Sequence, residues 1–287
     1  MMRKSVILIL SILISVTSIY GKQIKLLAIG NSFSDDAIEH YLYGLAEANG
    51  DTIVIGNMYI GGCSLETHYN NSKDNSSNYS YRKIVNGVKT ETPDYRLIDA
   101  ITDEDWDYIS FQQVSSEAGI YESYFPYLDE LKEYVKKNAT NSNVQFVLHL
   151  TWAYEQSSTH SGFANYNNYQ SQMHNAIIDA SFRAAEKAGI DIVIPVGTAI
   201  QNGRSSSLGD TFCRDGYHLE LTYGRYTASC TWYEKLFGKS VLGNSYVPDK
   251  ITPYQAWIAQ LAAHAAVAKP TSVTPIWVYE ITQYITK

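Results

Sequence analysis

The stretch that decides the fold is residues 23–40, which read QIKLLAIGNSFSDDAIEH. Residues 24–29 form a mostly apolar run, which predicts a strand buried inside a sheet. Residues 35–48 follow with the periodicity of a helix that ends at Asn49-Gly50. A strand that leads through a short turn into a helix is typical of α/β folds, and here the turn contains Ser32.

The same alternation continues along the chain. Strands separated by helices in this rhythm imply a parallel sheet that is covered on both faces. We therefore predict one domain over residues 22–287, with a three-layer α/β/α fold and a five-stranded, mostly parallel, doubly wound (flavodoxin-like) sheet. The further strands are predicted at 52–60, 108–111, 144–150 and 192–195, and the further helices at 124–137, 165–188 and 219–237.

Three segments depart from this rhythm. Residues 70–92 are rich in Asn, Ser, Lys and Tyr, and they predict a surface insertion with a hairpin at Asn86-Gly87. Residues 156–168 predict a second polar loop. After residue 243 the pattern predicts a C-terminal helical extension, with a helix at 254–268 and an edge strand at 276–285.

Composition limits the classes of partner. The chain has a formal net charge of −7 and 18% charged residues. Nucleic acid is not expected as a partner, because phosphate neutralisation by Lys and Arg supplies most of that affinity. The chain also has 24 tyrosines. Each combines an apolar ring with a hydroxyl, so this composition suits sugars and other polar, uncharged ligands.

The beginning of the chain predicts a signal peptide over residues 1–21. Basic residues at its start precede an apolar run at 6–16, which ends in small and turn-prone residues. The run is about eleven residues long, whereas a helix needs roughly 20 to span a bilayer. We expect export to the periplasm or the exterior, and no membrane span in the mature chain. A buried N-terminal helix is the alternative.

The chain has three cysteines: Cys63, Cys213 and Cys230. No Cys-x-x-Cys and no Cys/His spacing typical of a zinc site is present, so no metal is expected. In an oxidising compartment Cys63 and Cys213 are the pair that we would join in a disulfide. Buried, inert thiols are the alternative.

Ligands of a parallel α/β sheet collect at the carboxyl ends of its strands, so those ends are searched first for chemistry. Ser32 follows the first predicted strand. Its hydroxyl there can act as a nucleophile, and its backbone N–H can help to hold an oxyanion. A helix N-cap is the alternative role, although Ser34, followed by Asp35 and Asp36, is the better cap.

The segment after the fifth predicted strand supplies an acid and a base. It reads RDGYHL over residues 214–219, so Asp215 precedes His218 by three residues. A carboxylate at this spacing can accept a hydrogen bond from Nδ1 of the imidazole, which leaves Nε2 free to take a proton from a serine. A surface loop pair is the alternative.

Two further strand ends carry candidate hydrogen-bond donors. Gly61 and Gly62 follow the second predicted strand, and glycines let a backbone N–H come close to a ligand. Gln112 and Gln113 follow the third strand, where a side-chain amide can supply another donor. A tight turn and an ordinary loop are the alternatives.

Taken in order, these four segments resemble the sequence blocks of the SGNH (GDSL-like) hydrolase superfamily, in a bacterial esterase-like branch. Gly30-Asn31-Ser32 resembles the Gly-Asp-Ser of the first block, and Gly62 resembles the glycine of the second. Asp215 and His218 match the Asp-x-x-His of the fifth block. The resemblance implies a serine esterase that needs no cofactor, with Ser32 as the nucleophile and Asp215 and His218 completing the triad.

The third block departs from the superfamily's Gly-x-Asn-Asp pattern, because Gln112 and Gln113 stand in its place. Acetylesterase branches of the superfamily use a glutamine at this point. The resemblance therefore implies an oxyanion hole built from the N–H groups of Ser32 and Gly62 and from the amide of Gln112.

The expected partner is a small-molecule or glycan ester, most simply an O-acetyl group on a carbohydrate. The sequence does not indicate an oligomeric state. A lipase or thioesterase and a non-catalytic glycan-binding protein on a hydrolase scaffold are the alternative functions. A surface position for His68 and core packing for Trp152 are alternatives to substrate binding, and the remaining histidines have no partner that the sequence identifies. The candidates for substrate binding are His68, Gln113, Trp152 and Tyr154.

Overall fold

The computed structural model describes residues 21–285, so the predicted signal peptide, apart from Gly21, lies outside the described residues. The strands in this part of the chain form one sheet. They are β1 (Gln23–Gly30), β2 (Thr52–Tyr59), β3 (Tyr79–Val85), β4 (Val88–Tyr95), β5 (Tyr108–Phe111), β6 (Gln145–His149) and β7 (Ile192–Ile194). Their order across the sheet is β4-β3-β2-β1-β5-β6-β7.

Helices cover this sheet. They are α1 (Ser32–Ile38), α2 (Leu42–Ala48), α3 (Leu65–Asp74), α4 (Leu97–Ile101), α5 (Tyr127–Asn138), α6 (Gln170–Ala188), α7 (Val196–Arg204), α8 (Tyr223–Phe237), α9 (Pro253–Ala268) and α10 (Trp277–Ile285), with short 3-10 helices at Tyr121–Tyr124 and Ser161–Tyr166. Over residues 21–285 no helix combines the length and the apolar character that crossing a membrane requires.

The core of the sheet is parallel. Strands β2, β1, β5, β6 and β7 run side by side in the same direction. Helix α8 packs against α1, α2, α7 and α9, whereas α3, α4 and α5 pack against one another. The predicted three-layer α/β fold with a mostly parallel, doubly wound sheet is confirmed.

The sheet has seven strands rather than five, because β3 and β4 extend it as an antiparallel hairpin beside β2. Asn86 and Gly87 form the turn, with φ angles of 51° and 76°. Tight hairpin turns need such left-handed conformations, which Asn and Gly adopt most easily. The hairpin predicted there is confirmed. Residues 70–92 are nevertheless more than a surface insertion, because both of these strands hydrogen-bond into the sheet.

Two other predicted elements differ. Residues 35–48 form two helices, α1 and α2, and the buried Glu39 at the end of α1 turns inward to accept a hydrogen bond from Asn57 at 2.5 Å. The edge strand predicted at 276–285 is wrong, because α10 occupies that segment. Ile276 and Glu280 are buried while Val278 between them is exposed, which fits one face of a helix and not the alternation of a strand.

The parallel strands place the chemistry at one edge of the sheet. Strand β1 lies in the middle of the sheet and is almost entirely buried. It ends at Gly30, beside the ends of β2 at Tyr59 and β5 at Phe111. The loops that follow these ends therefore meet above the centre of the sheet.

Candidate active site

Ser32 lies at the start of α1, and its side chain does not cap the helix. The helix is capped by Asn31, whose side chain accepts a hydrogen bond from the N–H of Phe33 at 2.9 Å. Ser34 is not the cap that the sequence predicts; its hydroxyl donates to the Asn31 carbonyl at 2.7 Å. The Ser32 hydroxyl thus remains available to a partner outside the helix.

That partner is His218. Ser32 Oγ lies 2.9 Å from His218 Nε2, and His218 Nδ1 lies 2.7 Å from Asp215 Oδ2. The other Asp215 oxygen accepts from the backbone N–H groups of His218, at 2.8 Å, and Tyr217, at 3.2 Å. The structure therefore brings the three predicted triad residues together in one chain of hydrogen bonds.

The environment keeps Asp215 ionised. Partial burial opposes its negative charge, but hydrogen bonds from the His218 ring and from two backbone N–H groups outweigh burial and lower the pKa of this carboxyl. A carboxylate at Oδ2 requires a proton on His218 Nδ1. Nε2 is then the ring atom that can accept the proton of Ser32.

A buried carboxylate fastens the histidine loop to the serine helix. Asp36 lies one turn after Ser32 and has no exposed surface. It accepts from the backbone N–H of Leu219 at 2.9 Å, and it is paired with Arg214 at 3.0 Å and Arg225 at 2.7 Å. Since Leu219 directly follows the histidine, Asp36 fixes where the imidazole stands relative to the serine.

The glycine loop after β2 lies against the same turn. Asn31 Nδ2 donates to the Cys63 carbonyl at 3.0 Å, which ties this loop to the residue before Ser32. Gly62 has φ of 64° and opens onto free space, since a Cβ atom there would meet nothing within 4 Å. A backbone in this conformation can approach a ligand closely. The N–H groups of Ser32 and Gly62 remain the expected oxyanion donors.

Ser32, His218 and the two glycines line one cavity of about 400 Å³. Among the described residues that line it, none is an Asp, Glu, Lys or Arg. The sequence did not single out several of the side chains that complete the lining, which are Tyr59, Val114, Ser115, Ser116, His160 and Tyr217.

Comparison with known proteins agrees with this architecture. A sequence model of a family described as Domain of unknown function (DUF4886) matches residues 25–266. The chain belongs to the DUF4886 family. A crystal structure of a DUF4886 family protein from Bacteroides uniformis is 50% identical, with a TM-score of 0.87 over 89% of this chain and 98% of that one.

A more distant structure shares the fold of this DUF4886 protein. A candidate SGNH hydrolase from Slackia heliotrinireducens is 19% identical, with a TM-score of 0.52 over 75% of this chain and all of that one, 100%. The resemblance to the SGNH superfamily is thereby confirmed at the level of the fold. Axe2, an acetylxylan esterase from Geobacillus stearothermophilus, is 13% identical, with a TM-score of 0.48 over 80% of this chain and 99% of that one. The comparison with curated proteins finds no match.

In this DUF4886 protein, the side chain of Gln112 does not have the role in the oxyanion hole that the sequence predicts. This side chain is buried and does not line the cavity. Its Nε2 donates to Asn31 Oδ1 at 2.6 Å, and its Oε1 lies 3.0 Å from Nδ1 of His149. Gln112 thus supports the cap of α1, because its amide group is held between Asn31 and His149.

We expect Gln112→Ala to lower stability more than turnover. The substitution removes two buried hydrogen bonds and leaves a small void, which costs about 2–4 kcal/mol and lowers the melting temperature by roughly 5–10 °C. An oxyanion donor would instead cost about 10²–10³ in kcat. Thermal melts and ester kinetics distinguish the two. The same substitution at the exposed Gln145 is the control. An unchanged melting temperature with a hundredfold loss of kcat would contradict the structural role.

Two other candidates for substrate binding in this DUF4886 protein are also buried away from the cavity. Gln113 accepts from the N–H of Leu65 at 3.0 Å and donates to the Ser123 carbonyl at 2.8 Å, so it joins two loops. His68 has no exposed surface, and its Nδ1 lies 3.0 Å from the Tyr79 hydroxyl. Burial lowers the pKa of His68 to about 3. Neither residue is placed to contact a ligand, because their partners lie in the protein interior.

Trp152 and Tyr154 stand behind the lining rather than in it, and both are fully buried. The ring of Trp152 stacks on Phe33 at 4.1 Å between centroids, and its indole N–H donates to the Tyr217 carbonyl at 2.7 Å. The Tyr154 hydroxyl lies 2.8 Å from that of Ser115. They hold the lining in place, so the substrate-binding role predicted for Trp152 and Tyr154 is wrong, and core packing is the role of Trp152.

All three cysteines are buried free thiols. The Cys213 sulfur accepts from Arg204 Nη2 at 3.3 Å, and the Cys63 sulfur lies 3.7 Å from the Ser64 carbonyl. The hypothesis of a Cys63–Cys213 bridge is therefore wrong for this structure. Burial raises the pKa of Cys63 to about 12 and that of Cys213 to about 11, which keeps both as unreactive thiols.

Proposed function

We propose that this DUF4886 protein is an exported serine esterase that hydrolyses small acyl esters, most simply O-acetyl groups on a neutral carbohydrate. The observation that carries the proposal is the continuous set of hydrogen bonds from Asp215 through His218 to Ser32, which opens onto a cavity. Export is supported by the pattern of residues 1–21.

The reaction follows from this geometry. His218 Nε2 takes the proton of Ser32, and the serine oxygen attacks the ester carbonyl carbon. The N–H groups of Ser32 and Gly62 stabilise the negative oxygen that forms. The bond to the alcohol then breaks, and the alcohol leaves with the proton that His218 carries. Water, deprotonated by the same histidine, attacks the acyl-enzyme, which releases the carboxylic acid and restores Ser32.

The cavity supports a neutral substrate. No formally charged Asp, Glu, Lys or Arg among the described residues lines it, so an anionic or cationic substrate would find no counter-ion there. Tyr59 and Tyr217 offer rings and hydroxyls, a combination that suits sugars. The intact Ser32–His218 hydrogen bond argues against a purely glycan-binding role.

Labelling with a fluorophosphonate tests the nucleophile directly. We expect the probe to react once per molecule, and peptide mapping to find it on Ser32. Labelling should disappear in Ser32→Ala and persist in Ser116→Ala, which removes another serine hydroxyl from the cavity lining. In parallel, acetate release from acetylated xylo-oligosaccharides should exceed release of acids from octanoyl esters. Absence of labelling and of acid release from every ester would refute the proposal.

A further inference from the structure

His160 is a second histidine in the cavity. It belongs to the polar loop that the sequence predicts at 156–168 and directly precedes the 3-10 helix Ser161–Tyr166. Its ring lines the same cavity as Ser32 and His218, yet the triad has no task for it. The Nδ1 atom of the ring caps that 3-10 helix, but this contact leaves Nε2 unused.

The backbone fixes the tautomer of His160. The N–H of Gly162 donates to His160 Nδ1 at 3.0 Å, so Nδ1 carries a lone pair and the ring proton of the neutral form sits on Nε2. A Cβ atom at Gly162 would lie 2.3 Å from the Ser116 Cβ, so only a glycine allows the loop this close. Partial burial and the nearby His218 lower the pKa of His160, which favours the neutral ring.

Aromatic contacts then hold the ring in place. His160 packs against Tyr154 and Tyr217, with centroid distances of 4.8 and 4.7 Å. Tyr217 in turn lies 4.1 Å from the ring of His218. The Nε2–H has no hydrogen-bond partner in the described part of the chain. The result is an oriented donor, without a protein partner among residues 21–285, on the His218 side of the cavity.

The reaction mechanism indicates which part of a substrate lies near the Nε2–H group of His160. The alcohol of the ester receives its proton from His218 Nε2, so the alcohol oxygen must lie beside His218 when the bond breaks. The remainder of the alcohol extends from that oxygen toward the neighbouring groups. A simple alcohol brings no further oxygen there, whereas a sugar brings hydroxyl and ring oxygens.

We propose that His160 Nε2–H donates a hydrogen bond to an oxygen in the alcohol part of the substrate, and so selects esters of sugars and other polyols over simple esters. This inference rests on the proposed esterase function and adds a specificity-determining residue to it. The acyl group is not its target. The His160 ring packs on Tyr217, which packs on His218, and His218 is the residue that donates a proton to the alcohol.

The test compares two acetates that differ in the alcohol: a mono-acetylated methyl xyloside and phenyl acetate. In His160→Phe we expect the ratio of kcat/KM for the xyloside to that for phenyl acetate to fall about 10–100-fold, because one buried hydrogen bond to substrate is lost. The loss should be mainly in KM. His160→Gln keeps a donor and an acceptor, and should recover the ratio to within about tenfold of wild type.

His40→Phe, the same substitution at an exposed histidine, should keep the wild-type ratio. Equal losses of kcat/KM on both acetates in His160→Phe would mean that the residue only holds the loop, and would overturn the proposal. So would an unchanged ratio. A wild-type protein that hydrolyses neither acetate would refute the esterase function itself, and this inference with it.

Discussion

Ser32→Ala is expected to lower kcat for an acetate ester by about 10⁴–10⁶-fold. The hydroxyl that forms the acyl-enzyme is then absent, and His218 Nε2 loses the group that lies 2.9 Å away. KM should change little, because the serine oxygen contributes to the covalent steps more than to ground-state binding. Acetate release under saturating ester measures the effect.

The control for this prediction is Ser142→Ala, the same substitution at an exposed serine outside the cavity lining. It should keep the wild-type kcat. A Ser32→Ala protein that retains more than about a hundredth of wild-type turnover would place the nucleophile elsewhere. The residual activity of a site that lacks its nucleophile comes only from oxyanion stabilisation and binding.

Asp215→Asn is expected to lower kcat by about 10³–10⁴-fold while the fold stays intact. The asparagine amide can donate to His218 Nδ1, which moves the ring proton to Nε2 and leaves no lone pair to accept the proton of Ser32. Asp215 Oδ1 also accepts two backbone N–H groups, and the amide oxygen can keep those contacts. The geometry of the loop should therefore survive, and the tautomer should not.

Steady-state kinetics and a circular dichroism spectrum check this second prediction together. Asp249→Asn, at an exposed aspartate without a hydrogen bond in the described part of the chain, is the matched control and should behave as wild type. A kcat within tenfold of wild type in Asp215→Asn would show that something other than this carboxylate fixes the imidazole.

The parts of the site that could be predicted from the sequence are local. Ser32 lies two residues after the end of β1, and Asp215 and His218 are three residues apart, so short-range rules placed each of them. The same holds for the hairpin at Asn86-Gly87, where two residues determine the turn. The alternation of strands and helices was sufficient to predict the parallel core of the sheet, since the hydrophobic period of a strand or a helix is visible within that one element.

The errors concern side chains whose direction depends on distant packing. Spacing puts Gln112 after a strand end, but the cap residue Asn31 decides that its amide turns inward. Trp152 was predicted to bind substrate and instead stacks behind Phe33. His160 was not predicted as a site residue. The sequence of its polar loop does not indicate the close contact between Gly162 and Ser116 that brings the loop to the cavity.

The role of Asp36 could not be predicted either. Its partners Arg214, Leu219 and Arg225 lie far along the chain, and no short pattern connects them to a helix that begins at residue 32. The C-terminal segment shows a related limit. Apolar and β-branched residues at 276–285 suit a strand as well as a helix, and it is the exposure of Val278 between the buried Ile276 and Glu280 that separates the two.

The margins of the sheet bear on how this protein behaves when crowded. An open strand at the rim of a sheet invites another molecule to pair with it, and this is a common route to aggregation. The outer strand β4 is almost wholly exposed, but it carries charges, contains Pro93, and ends beside the left-handed Asp94. The opposite rim, β7, is only three residues long. Neither edge of the sheet therefore offers a long, uncharged strand with which a second copy can pair. We expect the protein not to form insoluble fibres by edge-to-edge pairing at high concentration.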